Sequence, residues 1–210
     1  MIRALIVDDH TITRAGLCRI LSESPQSIIV GEASNGAETL ELVMSQQWDI
    51  VLLDISLPDR SGLEVLKAVK KTCPALPVLV LSMYPVDQYA LRVLRAGGAG
   101  YLTKESAPDQ LLEAVRKVTA GMRYVTPEVA ECIARNWNRD PVQAVHETLS
   151  DREFEVMRLI ASGRSVGDIA RDLSLSVKTI STYRMRVLQK MHLRHNAELT
   201  HYAAINNLIS

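Results

Sequence analysis

Residues 1 to about 120 alternate five times between a short apolar run and a helix-length amphipathic segment, and few folds satisfy that alternation. The runs fall at roughly 2 to 7, 28 to 33, 49 to 53, 77 to 82 and 99 to 102. Between and after them apolar residues recur at helical spacing: Leu17, Ile20, Leu21; Leu40, Val43, Met44; Leu63, Leu66, Val69; Tyr89, Val93, Leu94; and Leu111, Leu112, Val115, Val118. Strands joined by helix-length crossovers must run parallel, so the expected class is α/β with a five-stranded parallel (βα)5 sheet. Asn35-Gly36, Pro58-Asp59, Ser61-Gly62 and Gly97-Gly98 supply the turn residues between elements.

Four of the runs end in charged or hydroxyl residues. ALIV (4 to 7) leads into Asp8 and Asp9, DIVLL (49 to 53) into Asp54, PVLVL (77 to 81) into Ser82, and GYLT (100 to 103) into Lys104. In an open parallel sheet, ligands bind beyond the carboxyl ends of the strands, so three carboxylates, a hydroxyl and an ammonium are expected to converge there. Each alone has a plainer reading: an Asp at a strand end commonly caps a helix, and a Ser or Lys there commonly sits in solvent. Five such residues from four strands at one sheet edge exceed what capping generates. A carboxylate that attacks a phosphoryl group must overcome like-charge repulsion, roughly 4 kcal/mol at about 4 Å and an effective dielectric of about 20. Asp8 and Asp9 are therefore expected to hold Mg2+, with Asp54 as the phosphoryl acceptor. Lys104 would give a second positive contact and Ser82 a hydrogen bond to a phosphoryl oxygen.

The formal charge is zero, yet it is unevenly spread: residues 1 to 125 carry 13 basic and 14 acidic groups, 126 to 147 carry 2 and 4, and 148 to 210 carry 9 and 6. Residues 173 to 197 hold Lys178, Arg184, Arg186, Lys190 and Arg194 without an acid, which suits either a polyanion partner or a solvated helix face. Cys18, Cys73 and Cys132 are odd in number and lack ligand spacing, against both a disulfide framework and a zinc site. No apolar run approaches membrane-spanning length and Met1 leads into a strand, so a cytoplasmic protein with no membrane partner is expected.

Thr126-Pro127-Glu128 reads as the cap of a short helix to about Asn136, followed by a linker from there to His146. Ser150-Asp-Arg-Glu153 is a capping box for a helix facing a core through Phe154, Met157, Leu159 and Ile160, and Gly163 stops it. A helix from near Ser165 to Leu173, the Ser174-Leu175 turn and a basic helix capped by Ser176 spell helix-turn-helix. On the basic helix Ile180, Tyr183 or Arg184, Val187 and Met191 form the inward stripe, leaving Lys178, Ser181, Thr182, Met185 and Gln189 opposite, the face that would enter the major groove. A last helix is expected over about 197 to 209.

Asp8-Asp9, Asp54 with Pro58 and Gly62 four and eight residues on, Ser82, and Gly100-Tyr101-Leu102-x-Lys104 resemble a two-component response-regulator receiver across the whole first domain. Residues 149 to 191 resemble the LuxR-type helix-turn-helix joined to receivers in the NarL/FixJ class. The resemblance implies a flavodoxin-like receiver over 1 to 122, a linker with a short helix over 123 to 147, and an all-α DNA-binding domain over 148 to 210. It implies that a sensor histidine kinase phosphorylates Asp54, that Ser56 gives a backbone carbonyl to Mg2+, and that Ser82 and Tyr101 are a switch pair. It implies DNA contacts by Ser181, Thr182 and Met185 at base edges and by Lys178, Thr179, Arg184 and Arg186 at phosphates. None of the three base-edge residues makes the bidentate guanine contact of an arginine, so readout through thymine methyls or DNA shape is expected. A weakly basic domain with few readers should bind double-stranded promoter DNA as a homodimer, with Leu199, Tyr202 and Ala203 as its candidate dimer surface, or with Leu199 and Ala203 as core. RNA polymerase is the implied downstream partner, and no enzymatic activity beyond autodephosphorylation is expected. The family's lysine is often followed by a cis proline; here Glu105 follows Lys104. A haloacid-dehalogenase phosphatase would need a second Asp where Ser56 stands, and a phosphorylation-independent regulator would not need the intact acidic site.

Overall fold

In the computed structural model, all residues are described except Pro25, 137–144, Asn207 and Ser210. The chain divides into two compact units, Met1–Ala134 and Arg135–Ser210. The center of the expected linker, 137–144, lies outside the described residues.

The first unit runs β1 (Ile2–Val7), α1 (Thr11–Ser22), β2 (Ile28–Ala33), α2 (Gly36–Ser45), β3 (Ile50–Asp54), α3 (Gly62–Thr72), β4 (Val78–Ser82), α4 (Val86–Arg95), β5 (Gly100–Thr103), α5 (Pro108–Thr119) and all but the last two residues of α6 (Pro127–Asn136). All strands are parallel, in the order β2-β1-β3-β4-β5. This is the flavodoxin-like topology, whose order reverses beside β1, next to β3. The central strands are buried on both faces, which is why they read as unbroken apolar runs rather than as alternations. Ala4, Ile6, Ile50, Leu52, Leu79 and Leu81 form one core with Leu111, Ala114, Val115 and Val118 of α5 and Leu21 of α1. The alternate positions Leu5, Val7, Val51, Leu53, Val78 and Val80 are equally buried. No helix among the described residues is long and apolar enough to cross a membrane.

Two local devices bring the connections back to the sheet edge. After β3 the chain turns so tightly that the Gly62 N–H donates to the Ile55 carbonyl at 2.7 Å, and a Cβ on Gly62 would be driven into the Asp54 carbonyl oxygen. Asp59, in the same turn, accepts the N–H groups of Gly36 and Ala37 at 2.8 and 2.9 Å, tying the β3–α3 loop to the start of α2.

In the second unit a 3-10 turn (Val145–Thr148) precedes α7 (Asp151–Ala161), α8 (Val166–Asp172), α9 (Val177–Lys190) and α10 (Asn196–Ile205). The capping box is present: Ser150 Oγ accepts the Glu153 N–H at 3.3 Å, while the Ser150 N–H donates to Glu153 Oε2 at 2.8 Å. Serines also cap α8 and α9, Ser165 for Asp168 and Ser176 for Thr179. α7 packs on α9 and α10, and α8 on α9, around Phe154, Met157, Ile160, Ile169, Ile180 and Val187.

Of the two readings open for Leu199 and Ala203, burial favours the core. Leu199 and Ala203 are both 0% exposed on α10, the helix packed on α7, and so cannot form a dimer surface. Tyr202 is tied through its hydroxyl to His146 Nδ1 at 2.9 Å. The i, i+4 spacing that suggested an interface stripe belongs to the core-facing side, leaving Ala197, Thr200, His201, Ala204 and Ile205 outward.

Two substitutions test this reading. Ser150→Ala removes one cap acceptor and should lower stability by about 1 kcal/mol in thermal or denaturant unfolding. Gly62→Ala must displace the strand-end backbone at Asp54 and should cost about 1–3 kcal/mol in the same assay.

Candidate functional site

Register brings the acidic residues together. Val7 pairs with Leu53 across β1 and β3, so Asp8 and Asp54 are each one step beyond a matched pair on adjacent strands. Asp54 pairs with Leu81 and Ser82 with Thr103, which puts Ser82 and Lys104 at the same edge; the Lys104 N–H closes it on the Ser82 carbonyl at 2.8 Å. The Lys104 ammonium sits between two carboxylates, 2.6 Å from Asp8 Oδ2 and 2.8 Å from Asp54 Oδ2. Both acids are nearly inaccessible, Asp8 at 1% and Asp54 at 3%.

Burial pushes the Asp54 carboxyl up to about 6, with Lys104 opposing, Asp8 adding to the rise and the Ser56 N–H opposing. Burial alone would lower Lys104, but Asp54 and Asp8 outweigh it and hold the ammonium above its ordinary value. Near neutral pH, Asp54 is therefore ionised and Lys104 charged. Three carboxylates then face one ammonium, a deficit of two positive charges.

Asp8, Asp9, His10 and Asp54 place one ligand atom each within 4.8 Å of one another. Asp9 Oδ1 is buried and accepts no hydrogen bond; His10 Nδ1 lies 2.7 Å away but off the line of a bond, directed instead at Asp8 Oδ1 at 3.3 Å. An unsatisfied carboxylate oxygen, an oxygen-rich donor set and the charge deficit all fit a hard divalent cation such as Mg2+. His10 was not among the residues singled out from sequence, although its place directly after the acidic pair is a visible signal. Ser56 lies directly beyond β3, with its N–H on Asp54.

Ser82 and Tyr101 are fully buried and are joined through one residue. The Tyr101 hydroxyl donates to the Tyr84 carbonyl at 2.6 Å, and the Tyr84 N–H donates to Ser82 Oγ at 3.1 Å. The backbone of Tyr84 thus meets both side chains, Ser82 through its N–H and Tyr101 through its carbonyl. The Lys104–Glu105 bond is trans, with no cis peptide among the described residues.

On α9 the observed inward stripe is Ile180, Val187 and Met191, with Leu188 also buried and Tyr183 and Arg184 half-buried. Lys178, Ser181, Met185, Arg186 and Gln189 are exposed, Met185 at 60%, and Thr179 and Thr182 partly so. Among the described residues Lys178 and Arg186 make no ion pair, whereas Arg184 donates to Asn196 Oδ1 at 2.7 Å and Lys190 to Glu153 Oε2 at 2.6 Å. The Ser181 and Thr182 hydroxyls turn back onto the Val177 and Lys178 carbonyls. The face thus offers two unpaired cations flanking small hydroxyls and an exposed thioether.

Comparison with known proteins agrees with both halves. Residues 4–116 match the response regulator receiver domain, and residues 147–203 match the luxR family of bacterial regulatory proteins. The chain is 34% identical over 209 residues to the response regulator UvrY of Escherichia coli K12, covering 99% of this chain and 96% of the relative. It is 32% identical over 210 residues to the response regulator GacA of Pseudomonas aeruginosa, covering 100% and 98%. Among solved structures, RcsB of Salmonella enterica serovar Typhimurium bound to the promoter rprA with phosphomimetic BeF3- superposes with a TM-score of 0.64 at 25% identity, covering 97% of this chain and 98% of that one. With a matched receiver, a matched luxR-type module and full-length relatives, the chain belongs to the two-component response regulators of the NarL/FixJ class.

Proposed function

We propose that this regulator accepts a phosphoryl group on Asp54 from a sensor histidine kinase in the cytoplasm, and thereby changes its dimerisation and its binding to promoter DNA. The observation that carries the reading is the Lys104 ammonium held between the buried Asp8 and Asp54 carboxylates, beside the unsatisfied Asp9 oxygen. An Asp54 oxygen forms the new bond to phosphorus as the bond from phosphorus to the kinase imidazole nitrogen breaks. Lys104 is near enough to follow the transferred charge, and the Ser82 hydroxyl hydrogen can point to a phosphoryl oxygen. Asp8, Asp9, Asp54 and the Ser56 carbonyl would hold Mg2+, which when bound supplies the positive charge that the site lacks. Withdrawal of Ser82 from the Tyr84 N–H would then free the backbone of Tyr84, whose carbonyl holds the Tyr101 hydroxyl, passing the change to the surface beside β5.

In the second unit, Lys178 and Arg186 are free to meet phosphates while Met185, Ser181 and Thr182 would face the bases, and the similarity to RcsB bound to the promoter rprA supports DNA as the partner. Thr179 would add a phosphate contact, and Arg184 would have to leave Asn196 to do so. Homodimers on paired half-sites would supply the affinity that two free cations cannot, and RNA polymerase would read the outcome. No catalytic turnover beyond loss of its own phosphoryl group is assigned to the chain.

The reading is tested by intact mass after incubation with acetyl phosphate and Mg2+. Wild type should gain one phosphoryl group and Asp54→Asn none; a folded wild type that gains nothing would favour a phosphorylation-independent regulator that uses the receiver only for dimerisation. Because Asp54 must be ionised to act, phosphoryl uptake at limiting Mg2+ should fall as pH drops through about 6, and the fall should move to lower pH as Mg2+ is raised, since the cation favours the carboxylate; uptake rates against pH at several Mg2+ concentrations would report it. Lys178→Ala and Arg186→Ala should each weaken DNA binding on every sequence and reduce the slope of log affinity against log salt by about 1, measured by titration at several salt concentrations.

A further inference from the structure

Asp8 is fixed at every polar group it has. Its N–H donates to the Ala33 carbonyl at 3.1 Å, its Oδ1 accepts the His10 N–H at 2.8 Å, and its Oδ2 meets Lys104 at 2.6 Å. Its carbonyl oxygen accepts from Arg14 Nη1 at 2.6 Å. Asp9 is held less firmly: its buried Oδ1 accepts no hydrogen bond, and its contact is with the exposed His10 ring, Nδ1 at 2.7 Å. The direction of Asp9 is therefore set largely by its backbone.

The peptide joining Asp8 to Asp9 is a rigid plane, and the oxygen of that plane is the Asp8 carbonyl. Holding the oxygen fixes the plane's rotation and so the direction in which the Asp9 Cα and carboxylate leave the strand. Arg14, in the first turn of α1, does the holding. Its side chain is only 15% exposed, and its Nε pairs with Glu32 Oε2 of β2 at 3.1 Å. The guanidinium fork thus spans from β2 to the β1–α1 turn, one donor on a fixed strand and one on the peptide before Asp9. A lysine has no second, rigidly oriented donor to do both.

We propose that Arg14, braced by Glu32, is a positioning residue that aims Asp9 at the divalent cation. This rests on the Mg2+-dependent phosphoryl acceptance proposed above. The competing role is a brace that merely holds α1 to the sheet, and the two differ in what they change. A brace alters the unfolding midpoint of the Mg2+-free protein and leaves Mg2+ affinity alone. A positioning residue alters Mg2+ affinity, and its loss is overcome by saturating Mg2+.

The test is Mg2+ titration by calorimetry on the full chain, with uptake from acetyl phosphate followed against Mg2+ concentration, for wild type, Arg14→Met, Arg14→Lys and Glu32→Gln. Arg14→Met should weaken Mg2+ binding by about 10-fold or more, the range seen for residues that orient metal ligands. Its uptake rate should return to that of wild type at saturating Mg2+, and Arg14→Lys should recover part of the affinity. Wild-type Mg2+ affinity in Arg14→Met, whatever its unfolding midpoint, overturns the proposal, as does a rate defect that saturating Mg2+ leaves in place. If Arg14→Met does not fold, Glu32→Gln carries the test: a smaller loss of affinity with the same recovery is expected, and unchanged affinity overturns the bracing. A wild type that neither binds Mg2+ nor takes up phosphoryl refutes the proposed function itself, whereas a wild type that does both beside an unchanged Arg14→Met refutes only the positioning role.

Discussion

One ammonium shared by two buried carboxylates organises the first unit. Lys104 reaches Asp8 and Asp54 only because β1, β3 and β5 end at a common level, and they do so because the parallel register matches Val7 with Leu53 and Ser82 with Thr103. The connections serve the same end, with Gly62 leaving room for the turn after Asp54 and Arg14 holding the turn after Asp8. The arrangement is costly. The folded state binds the Asp54 proton more tightly than the unfolded chain does, so the stability tied to that proton is present at low pH and is lost as pH rises through about 6. At neutral pH the Asp54 share of the burden is on the order of 3 kcal/mol, and the raised Lys104 offsets part of it. A site so expensive in the free protein is understandable when its charge deficit is what recruits a cation and then a phosphoryl group.

Much of this was legible in the sequence because a doubly covered parallel sheet writes its strands as unbroken apolar runs, and a charge at the end of such a run has no core to join. Asp8, Asp54, Ser82 and Lys104 stand out for that reason, and the fold class follows from helix-length crossovers. Arg14 and His10, which sequence reasoning passed over, and Asp59, which it read only as a turn residue, act from helix starts and turns, where a polar side chain is ordinary. Their roles come from which backbone groups they reach, and reach is a tertiary property. The spacing of Arg14, one turn into the helix after an acidic pair, was nonetheless a usable signal.

The α10 stripe shows the limit from the other side. Leu199 and Ala203 at i, i+4 describe an apolar face, but nothing in the periodicity says whether that face meets α7 or a second subunit; the buried area decides, and it goes to the core. Charge runs mislead in a similar way. Five basic residues between 173 and 197 suggest a uniform cationic face, yet Arg184 is taken up by Asn196 and Lys190 by Glu153, leaving Lys178 and Arg186 free on α9. If DNA binding and phosphorylation are coupled, the coupling must be reciprocal, so promoter DNA would stabilise the phosphorylated form by as much as phosphorylation stabilises DNA binding.

The acidic cluster is electrostatically overloaded, and a divalent cation would relieve it. Thermal unfolding of wild type and Asp54→Asn, each with and without Mg2+, tests it most directly. Without Mg2+, Asp54→Asn should unfold several degrees higher than wild type, because it removes a buried charge without changing shape, and Mg2+ should raise wild type more than the variant. An Asp54→Asn protein that unfolds below wild type without Mg2+, with both proteins indifferent to Mg2+, would contradict the account.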